Sequence, residues 1–408
     1  MIYPSLNLDA RLYLNDSGGK PSIATVTRAS AATCFDAVGK LVSVSSGVLR
    51  HDFDPVTGTY LGWLIEEART NLLLRSEAID NASWTKLNAT VPVTNVLAPD
   101  GASTADELRE DSATGVHLAY QAAAGTASNP YTLTAFAKAT ASPRRFLLDL
   151  DDGSGNGVRA LFDPGAGSVS GVTGTGSGTG ATGSIAPIGA GWYRCRISGT
   201  PNSGGGATVR GLVRLVNGGG ADNYAGDNAS GVYLWGLQLE AGAIPTSYIA
   251  TAGSQVTRAA DLLTVATSAF AYNQAEGTLL VRFDAPATAV VPAVLYADNN
   301  NFAAFDITSP YKARGVVTAG GSGVATLADG VFAAGVQTAA ALAYKLNDFA
   351  LSVNGATPVT DGAGAVPSAA SALHIGAFNG ASIINGHIRH IAYFPRRLVN
   401  AELQDISR

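Results

Sequence analysis

The sequence predicts an all-β protein of the sandwich type, and three observations support this. Residues 231–240 alternate by parity, with Tyr233, Trp235, Leu237 and Leu239 on one face and Gly236, Gln238 and Glu240 on the other, which is the period of a half-buried strand. Charged residues are only 14% of the chain, against about 25% in ordinary soluble proteins, so polar turns rather than Lys- and Glu-rich helices must keep it in water. The 48 glycines and the single methionine, with few apolar residues at helical spacing, point the same way.

A chain of 408 residues exceeds one ordinary core, since domains average roughly 150 residues, and three parts are expected. Residues 1–75 hold short β-type pieces broken by turns at Asp16-Ser17-Gly18-Gly19, Asp36-Ala37-Val38-Gly39 and Asp54-Pro55-Val56-Thr57-Gly58. So small a core predicts an N-terminal anchor that packs on the next domain or on a partner chain. Residues 64–74, with Glu66, Glu67 and Arg69 close together, read as a solvated connector. Strands at 131–137, 145–150, 192–197, 208–215 and 231–240 then predict a jelly roll over 76–252, which ends where Gly242 and Pro245 break the ladder. Within it, the Gly, Ser and Thr of 165–183 read as a hairpin with a long flexible loop. Residues 253–267 read as a linker, and its Val256-Thr257-Arg258-Ala259 echoes Val26-Thr27-Arg28-Ala29. A second β block over 268–408 has strands at 277–283, 349–353, 373–375 and 386–394, a tight turn at Asn354-Gly355, and a short final helix capped by Asn400.

The net charge of -5 provides no basic footprint, so nucleic acid is not an expected partner. No apolar run reaches the roughly 18 residues of a membrane span, and Met1-Ile2-Tyr3-Pro4 does not begin a signal peptide. Synthesis in a bacterial cytoplasm without membrane insertion is the expectation. Cys34 and Cys195 read as isolated buried thiols.

Gly178-Thr179-Gly180-Ala181-Thr182-Gly183 has dinucleotide-binding spacing, but Pro187 soon after it leaves no helix to receive phosphates, and no cofactor is expected. His387 and His390 stand three apart on a strand, and without a bulge they face opposite sides and cannot share an ion. Asp149-Leu150-Asp151-Asp152-Gly153 resembles a calcium loop, yet Ala160 stands where the final Glu belongs. A structural calcium stays open, with Asp100, Asp106 or Asp152 as oxygen donors. No two carboxylates show a defined separation across a groove, so the chain is expected not to be an enzyme. Sugar binding asks for less, namely an aromatic platform flanked by amide and carboxylate groups. The loop 217–228 supplies Tyr224 between Asn223 and Asp227, and these three are the expected carbohydrate contacts. Trp192 and Trp235 lie within apolar strands and read as core.

Several stretches carry a family resemblance: Phe53-Asp54-Pro55-Val56-Thr57-Gly58, Leu64-Ile65-Glu66-Glu67-Ala68-Arg69-Thr70-Asn71-Leu72, Ala82-Ser83-Trp84-Thr85-Lys86, Ala98-Pro99-Asp100-Gly101, Gly191-Trp192-Tyr193-Arg194, and 231–240 through Pro245-Thr246-Ser247-Tyr248-Ile249. On these the chain resembles head-spike or tail-fibre proteins of bacteriophages and phage-like particles of the gene transfer agent type. The resemblance implies a carbohydrate-binding jelly roll in the middle. Leu351-Ser352-Val353-Asn354-Gly355 and the strand-turn-helix ending over 386–405 are similar to concanavalin-like, laminin-G-type domains. The implied fold is thus a jelly-roll sandwich followed by a concanavalin-like sandwich, with a small N-terminal anchoring segment. The implied function is a virion surface adhesin that binds bacterial capsule or lipopolysaccharide glycan. Other particle proteins would be held through the N-terminal region, and a homo-oligomer is compatible with this. A purely structural fibre or decoration protein, or a polysaccharide depolymerase, are the alternatives.

Overall fold

Alternating apolar residues along short strands build two β-sandwiches in the computed structural model, which describes residues 3–14, 20–201, 208–286, 290–308, 312–331 and 333–408. The turn expected at Asp16–Gly19 lies outside the described residues.

The first sandwich is the jelly roll. One six-stranded sheet runs in the order Thr179–Gly189, Trp192–Thr200, Tyr131–Ala139, Gly231–Ala241, Asp106–Glu110 and Ala89–Thr90. The other runs Ser168–Thr175, Gly157–Asp163, Arg145–Asp151, Thr208–Val216, Leu118–Ala124 and Thr85–Leu87. Between them Leu133, Phe146, Phe162, Val213, Leu234 and Leu239 are fully buried. The stretch expected as a long flexible loop is instead two edge strands, Ser168–Thr175 and Thr179–Gly189, joined by a tight turn. Ser, Thr and Val keep the extended backbone there even though most of those side chains face solvent.

Strand Gly231–Ala241 departs from its parity. Gly236 has φ of 59°, and the pairing with Tyr131–Ala139 shifts register between Thr134 and Phe136. A bulge therefore switches the faces. Leu237 and Leu239 enter the sandwich core, while Trp235, with Tyr233 packed beside it, joins Phe136, Trp192 and Tyr248 in a separate cluster on the outer face of the sheet.

The second sandwich takes strands from both ends of the chain. Its eight-stranded sheet runs Val359–Asp361, Phe349–Val353, Thr338–Lys345, Glu276–Asp284, Gly386–Phe394, Tyr60–Ile65 and Arg50–Phe53, and Leu6–Asp9 also pairs with Gly386–Phe394. The seven-stranded sheet runs Ala24–Thr27, Leu262–Ala266, Ala372–Ile375, Val290–Asp298, Asn301–Thr308, Lys312–Ala319 and Ser322–Val331. Two sequence expectations need correction here. Residues 1–75 are not a separate anchor domain, because Leu6, Leu8, Trp63 and Ile65 are buried in the core of this sandwich. Residues 253–267 are not a loose linker, because Leu263 and Val265 alternate inward on a strand of the same core. The final helix, Asn400–Ile406, begins with the Val399 amide donating to the Glu402 carboxylate rather than with a cap from Asn400.

The sandwiches meet at a buried seam. Arg50 pairs with Glu66 at 2.7 Å and with Asp261 at 2.5 Å, and Arg28 pairs with Asp261 at 2.7 Å. Arg258 stands 3.6 Å from Glu66 and 3.7 Å from Asp261. The echo between Val26-Thr27-Arg28 and Val256-Thr257-Arg258 thus has a structural counterpart, since both arginines converge on one carboxylate. From the jelly-roll exit, Ser247 donates its amide and its hydroxyl to Glu66 at 2.7 and 2.6 Å. Burial pushes the Glu66 carboxyl up, but Arg258 and Arg50 outweigh it and hold the group well below the usual carboxylate range. Residues 64–72 are therefore the seam itself and not a solvated connector. Asn71 continues it, donating to the Leu237 and Ile249 carbonyls and accepting from the Leu73 and Leu239 amides.

Candidate functional site

A short hairpin of strands Ala32–Phe35 and Leu41–Val44 leaves the second sandwich and lies on the outer face of the first. Leu41 packs among Phe136, Trp192, Trp235 and Tyr248. Beside this hairpin opens a cleft of about 370 Å³, lined by Lys40, Ser43, Glu77, Asp100, Trp235 and Tyr248 among others. Its volume falls at the lower end of the ~300–1,000 Å³ of small-molecule sites.

The walls of the cleft are held rigidly. Tyr248 and Trp235 pack with ring centroids 4.8 Å apart, and Trp235 donates its indole N–H to Thr104 at 3.0 Å. Tyr248 donates its hydroxyl to a Glu77 oxygen at 3.0 Å, with Ser76 Oγ 2.7 Å away, while Thr33 donates to the Tyr248 carbonyl at 2.6 Å. Burial pushes the Glu77 carboxyl up, and the neighbouring Asp100 charge pushes in the same direction against the Tyr248 hydrogen bond. Asp100 accepts from the Ala102 amide at 2.9 Å. Glu77 and Asp100 thus present carboxylate oxygens to the same space as the exposed Lys40 ammonium. Such a set can hold hydroxyl groups by charge-assisted hydrogen bonds.

The expected sugar-binding loop lies elsewhere and is built differently. Tyr224 is only 8% exposed. Its ring packs 4.6 Å from that of His117 and under the Arg144 guanidinium, and its hydroxyl donates to Glu110 at 2.6 Å. Glu110 is fully buried and needs these partners, so Tyr224 anchors the loop and is not an open platform. Asp227 accepts from the Ala229 and Ser230 amides and the Ser230 hydroxyl, and it pairs with Arg144 at 3.1 Å. The Ser230 hydroxyl leads in holding its carboxyl below the usual range. Of the three expected contacts, Asn223 and Asp227 are exposed, and the Asp227 carboxylate is already engaged within the loop and by Arg144. Trp192 and Trp235 are buried, as expected of core residues.

The three aspartates considered for calcium also stand apart. Asp152 closes a turn by accepting from Ser154 and Asn156. Asp106 accepts the Ile79 amide at 2.5 Å, and Asp100 lines the cleft. Among the described residues no group of three or more His, Cys, Asp or Glu is arranged to hold a metal ion. The strand carrying His387 and His390 does have a bulge, with Arg389 as the extra residue. Yet His387 lies between Asp284 and Asp52, each 2.9 Å from a different ring nitrogen, and His390 takes Asn7 at 2.6 Å. Burial lowers the His387 pKa, but the two carboxylates outweigh it and raise it to about 9.

Sequence reading missed the pairing of Glu77 with Asp100 because they are 23 residues apart in the chain. Only the turn Ala98-Pro99-Asp100-Gly101, already prominent in the family resemblance, hinted at one half of it.

No protein-family model matches the chain, and no curated protein does. Among solved structures it is similar to the CBM40 of a Ruminococcus gnavus IT-sialidase bound to α2,3-sialyllactose, at 15% identity and TM-score 0.29 over 33% of this chain and 84% of that one. It is also similar to mouse laminin α1 domains LG4-5, at 10% identity and TM-score 0.26 over 83% and 91%. A third is a Trypanosoma rangeli sialidase, at 11% identity and TM-score 0.26 over 74% and 60%. With sialidases among the similar structures, the expectation that the chain is not an enzyme is withdrawn. Scores this low assign neither an activity nor a ligand.

Proposed function

We propose that this chain is a glycan-binding protein of the surface of a phage or phage-like particle, and that it holds bacterial capsule or lipopolysaccharide sugar in the cleft beside the short hairpin. One observation carries the reading: Glu77, Asp100 and Lys40 converge on a preformed hollow floored by Trp235 and Tyr248. Carboxylates and an ammonium over a largely apolar floor suit a ligand that is polar at its rim and apolar on its ring faces. The particle context rests on the stretches that resemble spike and fibre proteins. A bacterial glycan array probed with the full chain and with Glu77→Gln/Asp100→Asn tests it. The wild type binds a defined set of glycans and the double variant loses at least about tenfold in affinity, roughly 1.4 kcal/mol. An array without a single bound glycan contradicts the proposal.

A second reading, cleavage of the bound glycan, is favoured by the same pair. Burial, with the Asp100 charge beside it, raises the Glu77 carboxyl, as the role of a proton donor requires. Release of reducing ends from a glycan that binds, lost in Glu77→Gln, would establish it. Binding without release leaves the first reading alone.

A further inference from the structure

We infer that the site is a track for a chain of several uncharged sugar units rather than a pocket for one terminal sugar, because the central cleft shares lining residues with two further hollows around the short hairpin. This deepens the glycan reading and rests on it. The central cleft shares Thr33, Ser43, Tyr248 and Ala250 with a hollow of about 180 Å³ that continues to Ser30 and Val256. It also shares Lys40 with a hollow of about 250 Å³ bounded by Val38, Leu97, Ile188 and Trp192. The two outer hollows each fall below the ~300 Å³ lower bound for small-molecule pockets. Joined through the cleft, they make room for an extended ligand.

The chemistry changes along the track as a polysaccharide would require. In the middle, Glu77 and Asp100 are acceptors for hydroxyl groups, and two carboxylates against the single Lys40 ammonium favour an uncharged sugar over a carboxylated one. The first outer hollow contains Arg258, whose charge is already met by Glu66 and Asp261. The other outer hollow offers apolar surface, with Val38 86% exposed and Leu97 60% exposed. Asp36 accepts from the Val38 and Lys40 amides at 3.0 and 2.9 Å, so the turn that presents Val38 is fixed before any ligand arrives. Exposed apolar side chains on a braced turn beside a hydroxyl-binding cleft suit the faces of further sugar rings.

Length dependence tests this. The full chain is titrated calorimetrically with the best-bound series from a bacterial glycan array, in neutral and uronic-acid fragments of increasing length. The expected result is a Kd that falls at least about tenfold from the shortest neutral fragment to the longest and then levels off, with uronic-acid fragments weaker throughout. Leu97→Asp and Val38→Asp, both on the surface, raise the Kd of long fragments several-fold and leave that of the shortest unchanged. Leu97→Ala, with an intact melting temperature, repeats the effect without an added charge. Equal Kd at all lengths, preference for acidic fragments, or indifference to all three substitutions overturns the track while the glycan reading stands. Failure to bind any glycan overturns both.

Discussion

At the scale of single residues, the seam is where one change has the largest effect. Arg50 is fully buried and joins Glu66 to Asp261, so Arg50→Met leaves two buried carboxylates short of a partner. Removal of one member of a buried ion pair costs about 3–5 kcal/mol, and urea unfolding of the full chain should show a loss of that order. His387 sets a pH dependence. Its folded pKa, near 9, lies above its unfolded value of 6.5, so its contribution is fully present below pH 6.5 and is lost as pH rises through 9. The melting temperature is expected to fall across that window, and His387→Gln to flatten the fall. Neither feature was legible in the sequence. Glu66 looked like one of several charges on an exposed connector, and His387 like half of a histidine pair, because charge partners as remote in sequence as Arg258 for Glu66 and Asp52, 335 residues from His387, leave no local pattern.

At the scale of elements, local periodicity was a good guide until a backbone irregularity interrupted it. The strand at 231–240 was legible from its alternation. Its bulge was not, and with it went the true position of Trp235 on the outer face. Gly236 was the one available signal, since a glycine inside a strand often marks a bulge. A Cβ at Gly236 would stand 2.9 Å from the Phe136 ring with φ at +59°. Gly236→Ala is therefore expected to destabilise by about 1–3 kcal/mol, read from the denaturation midpoint. The edge strands at 168–189 show the opposite failure. Low-complexity composition suggested a loop, whereas Thr and Val in a paired backbone make strands even where most side chains face solvent.

At the scale of the whole molecule, the all-β class and the two-sandwich plan were legible, and the partition of the chain was not. Strand pairing between the two ends, such as Leu6–Asp9 with Gly386–Phe394, leaves no trace in composition. One consequence is direct. Deletion of residues 1–75 removes Leu6–Asp9, Ala24–Thr27, Arg50–Phe53 and Tyr60–Ile65 from the second sandwich, and Arg28, Arg50 and Glu66 from the seam. The remainder is expected to be insoluble or molten by near-UV circular dichroism. A cooperative, folded 76–408 fragment would show the N-terminal strands to be dispensable.

The same closure places the hairpin over the jelly roll and so creates the cleft on which the functional account depends. Amide hydrogen exchange with and without a bound bacterial glycan tests that account most directly. Protection is expected at Lys40–Ser43, Ser76–Glu77 and Asp100–Ala102. Protection confined to Asn223–Asp227, or no change around the hairpin while glycan is bound, would contradict it.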